Sequence, residues 1–401
     1  MRTRTLLLST AATLGALALL GTMAARREAA SAGDAVAAGN AATAGNAAAT
    51  RNVAAAGNTA AAGDAAAACG VRGPTPLGHP VTAAERAAVP LAFQGNVVVS
   101  VAGADRLTII DLATGRQRSV DSGIDQPHEL VVSPDGRWAV AADFGDYLGD
   151  YAFSGTELGV YELPSGQLVR RIGLGQYRGP HDIVFTAPTR VAVTTQTTRH
   201  VVEADITTGS VLGATETRAQ GSHTLAVTAD ARLAFTANQP EGSLSRLDLA
   251  NRRFLSKHVV GRGETEGIAT TPDGGEVWMG FGDMDAVLVA DGRTGAVLDT
   301  IAGFDMPERM AMSADGRYAV ITDFACETVK VADVRTRRVL GPIAGLEGAG
   351  VAKILPDNRT AVILLLDERV VAMADLVTRR VVARHPLRGP RPDAAAWGPA
   401  R

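Results

Sequence analysis

Three histidines occupy matching places in this chain. His128, His181 and His223 each stand six residues before the second residue of a turn that joins two apolar runs, as in "PHELVVSPDGRWAV" around His128. Further on, the same place holds Glu266, Glu308 and Gly350, and near the C-terminus it holds Asp393. Three neutral imidazoles with a carboxylate can ligate a divalent metal such as zinc, iron or copper. The ligands would then be His128, His181, His223 and Glu266. Without metal, an imidazole beside a carboxylate titrates near neutrality and serves as a general acid or base. That makes the same three histidines the catalytic candidates, with Glu266, Glu308 and Asp393 completing a ligand-binding set.

Equal offsets place side chains together only if the flanking elements repeat. Turns follow strand-like runs at Asp111 ("DLATG"), Glu162, Asp205, Asp248, Asp291, Asp333 and Asp375, separated by 51, 43, 43, 43, 42 and 42 residues. Before each of the last six comes a second turn: "SPDGRWAV", "TAPTRVAV", "TADARLAF", "TPDGGEVW", "SADGRYAV" and "LPDNRTAV". The runs are short, rich in Val, Ile and Leu, and show no helical period. Seven units of four strands predict an all-β fold, a seven-bladed β-propeller of antiparallel blades in which each sheet covers its neighbour. Two separate sandwich domains would leave the even period unexplained. The first unit lacks an innermost strand, and "PRPDAAAWGPAR" at the C-terminus fits the frame of "GPHDIVFTAPTR", so the last segment is expected to close the ring. The shared offset then becomes one polar collar where the inner strands begin, at one mouth of the central channel.

These units resemble the YVTN-type, WD40-like β-propeller repeat of bacterial exported proteins, over roughly residues 91 to 399. Where that repeat has its aromatic-rich strand, this chain has "VAAD", "VTTQ", "FTAN" and "VITD". Proteins with similar repeats include surface-layer and cell-wall proteins, propeller parts of periplasmic redox enzymes, and a lyase that cleaves virginiamycin B. The resemblance is specific for fold and weak for function; the collar points first to binding of a small molecule or a metal ion at the channel mouth, with lyase or hydrolase chemistry as the alternative and an envelope protein-interaction role as a third. In WD-type propellers a histidine beginning the inner strand is a scaffold residue, but a scaffold imidazole would recur unchanged, and here the place varies from His to Glu, Gly and Asp. The chain has no C-x-x-C-H, so a covalent c-type haem is not expected.

The second unit is about ten residues longer than the others, within "DFGDYLGDYAFSGTELGV". That insertion joins the second and third strands, on the face where the inner strands begin. Asp146, Tyr147, Asp150 and Tyr151 are therefore expected to line or cover a pocket there. "GLGQYRG" lacks the strand-to-helix context of a phosphate loop, no G-x-S-x-G occurs, and Ser133 and Ser313 belong to turns.

Residues 1–24 read as a signal peptide: Arg2 and Arg4, then an apolar run from Leu6 to Leu20, then "TMA". An uncleaved anchor is the alternative. No later stretch is apolar enough to span a bilayer, and an exported location follows, periplasmic, secreted or at the cell surface. Residues 25–76 form an Ala/Gly/Asn-rich linker with a six-residue period but no apolar residue recurring to fill a core, which predicts a disordered tether ahead of the propeller at 77–401. The formal charge is −3, with no basic block, so nucleic acid is not an expected partner. The two cysteines, Cys69 and Cys326, either pair or remain thiols. Deleting residues 29–68 should leave the melting temperature of the propeller unchanged. Strong amide-exchange protection across that stretch would contradict the tether.

Overall fold

The computed structural model describes residues 94–346 and 348–400. The expected signal peptide, the tether and Cys69 lie outside them. The described residues form seven four-stranded antiparallel sheets and one two-stranded ribbon, arranged as a seven-bladed propeller. No helix among them is long and apolar enough to cross a membrane.

Seven blades form because their strands are apolar on both faces. Thr360–Leu365 and Val370–Asp375 are buried along their whole lengths, which a lone sheet in water cannot achieve. The described hydrophobic core divides into seven clusters, and each joins two adjacent blades. Val97 and Ile110 of the first blade, for example, pack with Leu364 and Met373 of the last. The smallest cluster joins the third and fourth blades through Ala192, Val201, Leu225 and Leu247. Thr194, Thr217, Ser222 and Ser245 are buried nearby, and Ser245 Oγ donates to the Thr217 carbonyl at 2.8 Å.

The turn motifs have a local cause. Ser133 Oγ donates to Asp135 Oδ1 at 2.6 Å and accepts from the Trp138 N–H at 2.9 Å. Ser313 repeats this with Asp315 and Tyr318. Both hydroxyls are committed to turns. In the other turn class, Asp205 accepts from the N–H groups of Thr207 and Thr208 at 2.9 and 3.0 Å. The Thr207 hydroxyl adds the largest pull, and together these donors hold the Asp205 carboxyl down to about 2.

The first blade takes its innermost strand from the C-terminus. Ala395–Gly398 pairs antiparallel with Asn96–Val101, with Val97 opposite Trp397. The strand takes only the middle of the closing segment "PRPDAAAWGPAR". Before it, the Asp393 N–H donates to the Ser100 carbonyl and the Ala394 N–H to Ser100 Oγ, at 2.9 and 3.0 Å. Gly136 of the "SPDG" turn has φ 68°, and a Cβ there would lie 2.1 Å from the Pro399 carbonyl oxygen. Only glycine lets the second blade's turn close over the end of this strand.

One irregularity positions the site. In blades two to seven the innermost strands slip register between Pro127 and Leu130, Pro180 and Ile183, Ser222 and Thr224, Thr265 and Ile268, Pro307 and Met310, and Ala349 and Val351. Each slip falls on the place held by His128 and its counterparts. A regular strand sends consecutive side chains to opposite faces. A bulge re-aims them, so His128 with Glu129, and Glu308 with Arg309, serve the same channel.

A chain ending at Pro390 should lose at least four net hydrogen-bond contributions of ~1 kcal/mol each. With ~2–4 °C per kcal/mol for a domain of this size, its melting temperature should fall by about 10 °C or more. An unchanged melting curve would exclude a closing role for this strand.

Candidate functional site

The structure brings five of the expected collar residues into contact, in ring order. Asp393 Oδ2 lies 3.0 Å from His128 Nδ1, and His128 Nε2 lies 3.0 Å from His181 Nε2. The rings of His181 and His223 have centroids 4.0 Å apart. His223 Nε2 lies 3.1 Å from Glu266 Oε2. Glu308 is in the channel with Oε2 buried and without a hydrogen-bond partner. At Gly350 a Cβ would meet the Leu366 side chain at 2.3 Å, so an apolar side chain fills that place.

Proton positions follow from the partners. Burial pushes the Asp393 carboxyl up, but His128 outweighs it and holds it below its ordinary value. It is therefore an acceptor, and His128 Nδ1–H donates to it. Burial alone would lower His128; the Asp393 carboxylate reverses this and raises it. His181 is 0% exposed. Burial first, then His223, His128 and Arg309, lower it well below the usual imidazole range. When His128 is neutral, its Nε2 accepts and His181 Nε2–H donates, leaving His181 Nδ1 a bare acceptor. When His128 is charged, the tautomer of His181 reverses and Nδ1 carries the proton. His181 Nδ1 is buried and makes no hydrogen bond. A proton gained at His128 thus changes what a neighbour would meet at His181.

The residues beside the collar were not visible from the offset. Arg309 Nη1 lies 3.0 Å from His223 Nε2 and 3.3 Å from the Glu266 carbonyl, and its Nη2 lies 3.5 Å from Glu129 Oε1. His223 Nε2 thus stands between Arg309, which can only donate, and the Glu266 carboxylate at 3.1 Å, which can only accept. His223 Nδ1 lies 3.3 Å from Gln196 Oε1, an acceptor, so Nδ1 carries a hydrogen. Gln196 Nε2 donates to Gln239 Oε1 at 3.1 Å, and Gln239 Nε2 donates to Glu266 Oε1. Burial, with Arg309 acting in the same sense, lowers His223 against the opposite pull of Glu266. Burial would raise Glu266, but His223, Arg309 and Gln239 bring it down to about 2. Glu308 goes the other way. Burial, with Glu266 and Glu129 nearby, lifts it to about 7 against the pull of Arg309.

Gln196 and Gln239 directly follow the second strands of their blades, and so do Phe144 and Leu366. The backbone N–H of each of these four donates to the carbonyl two residues before its blade's collar place. They form a second tier above the collar. The signal was present in the sequence, as a varying residue just after "VAAD" and "FTAN" and at the end of "VTTQ".

The insertion of the second blade covers this tier. Phe144 stacks on His128 with centroids 4.7 Å apart and meets His181 edge-on at 4.8 Å. Phe153 stacks on Phe144 at 3.6 Å, and Tyr147 packs on Phe153 at 5.2 Å. The Phe153 N–H donates to Thr197 Oγ1 of the third blade at 2.7 Å. The Tyr151 hydroxyl donates to Glu264, just before the innermost strand of the fifth blade. The insertion therefore spans the mouth as a strap. Asp146 accepts from Gln126 Nε2 at 2.9 Å, at the foot of the strap. Asp150 sits exposed at the ribbon's turn with φ 49°, outside the collar.

The residues of the expected metal set are already engaged with one another and with Arg309. Among the described residues no group of three or more His, Cys, Asp and Glu side chains is arranged to hold a metal ion. The Nε2 atoms of His128 and His181 face each other, and the Arg309 guanidinium already stands between His223 and Glu266. His128, His181, His223 and Glu266 form hydrogen-bonded pairs here, not a shared coordination sphere. Cys326 is disulfide-bonded; the chain's other cysteine, Cys69, lies outside the described residues.

No protein-family profile matches the chain, and no curated protein matches it. Among solved structures it is similar to the hydrazine synthase of Kuenenia stuttgartiensis, with a TM-score of 0.57 and 15% identity over 73% of this chain and 93% of that one. At that identity the likeness is one of fold.

The pKa directions make opposite demands on stability. His181 and His223 are lowered, so their contribution is full above about pH 6.5, the ordinary histidine value, and is lost as pH falls below it. Glu308 is raised, so its contribution is present below the ordinary carboxyl range and is lost as pH rises toward about 7. Each proton changes the slope by up to ~1.4 kcal/mol per pH unit. His181→Gln should flatten the loss of stability between pH 6.5 and 5, and Glu308→Gln should steepen it. Denaturant melts at half-unit pH steps measure both; identical slopes in all three proteins would refute these assignments.

Proposed function

We propose that this propeller is an exported protein that binds a small, neutral, polar molecule at the channel mouth, between the collar and the strap. One observation carries the reading. The hydrogen-bonded row Asp393–His128–His181 ends at a buried Nδ1 with no partner, under Phe144 and Phe153, while Glu308 offers a second buried atom with no partner. An unpartnered buried polar atom costs ~1–3 kcal/mol, and a ligand bearing a hydroxyl or amide group would offset that cost at both atoms. The charges support a neutral ligand. Glu129, Glu266 and Asp393 are opposed by Arg309, Lys353 and a His128 whose pKa is raised. The disulfide at Cys326 suits an oxidising compartment and supports export, as does the N-terminal sequence.

A second reading has its own support. The Asp393–His128 pair orients and charges an imidazole that can pass a proton to His181, the arrangement a lyase or hydrolase uses for general acid–base work. On that reading the ligand is a substrate, and His181 Nδ1 meets the reacting atom.

The strap must open for either. Burial, then Glu264, raises the Tyr151 phenol, so its hydroxyl stays protonated and donates. Tyr151→Phe removes a hydrogen bond to a charged group, worth ~1.5–3 kcal/mol, and should raise the open population at least about tenfold. Acylation of His128 and His181 by diethylpyrocarbonate, followed by mass spectrometry, should accelerate by the same factor. Equal rates in Tyr151→Phe and the wild type would show that the strap does not gate the mouth. In a thermal-shift panel of neutral hydroxyl and amide compounds, a true ligand should stabilise the wild type but not His181→Leu. A panel that stabilises both equally would place binding elsewhere.

A further inference from the structure

A second polar feature lies on the same face, outward of the collar, between the first and second blades. It is a cleft of about 400 Å³ lined by Asp105, Asp121, Asp125, Asp143, Glu157 and Arg171, with Gly123 and Ile124. The topology explains why carboxylates gather there. Asp105 belongs to the turn after Asn96–Val101, and Asp121 ends the first blade's outermost strand. Asp125 lies in the crossing to the second blade. Asp143 and Glu157 flank the strap's insertion, at the end of Trp138–Asp143 and the start of Glu157–Glu162. All these connections fall on the mouth face.

Backbone donors hold three of these lining carboxylates in place through one oxygen each. Asp105 Oδ1 accepts from the Gln126 N–H and Asp121 Oδ1 from the Gly123 N–H, both at 2.8 Å. Asp143 Oδ2 accepts from the Thr156 N–H at 3.1 Å. Asp143 is only 6% exposed, and its Oδ1 is buried without a hydrogen-bond partner. One cation is already at the edge: Arg171 Nη1 lies 3.4 Å from Glu157 Oε1, on a side chain 53% exposed. Five carboxylates against one guanidinium leave a strong excess of negative charge. The consequence is visible in Asp125, raised by burial and then by Asp105, Asp146 and Asp143, and in Asp143, raised by burial and also by Glu157. Such repulsion is relieved by a cation that brings several N–H donors.

We propose that this cleft binds a small organic cation carrying two or more alkylammonium groups. Asp143 Oδ1 would accept from one group, with Asp121 and Asp125 facing another. A single metal ion is a poorer fit, because the carboxylates are spread along the cleft and no three of them converge on one point. An ammonium group presents three donors and tolerates separated acceptors. The chemistry is the same for a free polyamine and for lysine side chains of a peptide.

Spermidine titrated calorimetrically into the full chain at low salt should bind, with affinity falling as salt rises. Asp143→Asn should weaken binding about tenfold, and the exposed Asp125→Asn about fivefold. Arg171→Ala removes the competing resident cation and should tighten binding about threefold, a gain that general damage to the fold would not produce. If Asp143→Asn does not fold, the two surface variants decide. A tetralysine peptide that binds as well as spermidine would identify a basic protein segment as the source of the cation; a weaker peptide would identify a free polyamine. Absence of spermidine binding at about 1 mM, affinity unchanged in Asp125→Asn and Arg171→Ala, or Ca²⁺ binding that spermidine does not displace would each overturn the proposal.

Discussion

A guanidinium at the axis holds the mouth of this propeller together. Arg309 comes from the sixth blade and reaches Glu129 of the second, His223 of the fourth and Glu266 of the fifth. A charge this deep is tolerated only with partners, and the carboxylates it faces would repel one another without it. Beside it, a hydrogen-bonded row runs from His223 through Gln196 and Gln239 back to Glu266. The collar is thus an electrostatic unit, and its parts cannot be exchanged one at a time without leaving a buried charge exposed to its neighbours.

The repeat made most of the fold legible. Apolar runs buried on both faces need neighbours on both sides, and an even period supplies them. The position of the collar was legible for the same reason: Asp393, His128, His181, His223 and Glu266 meet because their offsets from equivalent turns are equal. Arg309 and Glu129 were not legible. Strict strand alternation would send them away from the channel, and the bulge that re-aims them leaves no distinct mark in a single sequence. Phe144, Gln196 and Gln239 were missed because they follow their strands and read as loop residues. Asp143 was missed because its neighbours in the cleft come from three separate connections.

Residue types alone say little about how the charge of the collar is balanced. Three imidazoles and a carboxylate suit a cation, but here a cation is built into the chain. Arg309 supplies fixed charge with five directed donors, where an ion would have drawn the same imidazoles toward a single point. That residue reaches the axis because it lies within the bulge of the sixth blade's innermost strand.

The closing strand gives the collar a dependence in time. Asp393, which orients His128, follows every other collar residue in the chain, more than 200 residues after His181. During synthesis the other innermost strands can form before the ring has its carboxylate. The histidine row acquires its orientation only when the two ends of the folded ring meet in the first blade. Any nascent, nicked or prematurely terminated chain therefore carries imidazoles without their anchor. The orientation of the collar arrives in the same step as topological completion.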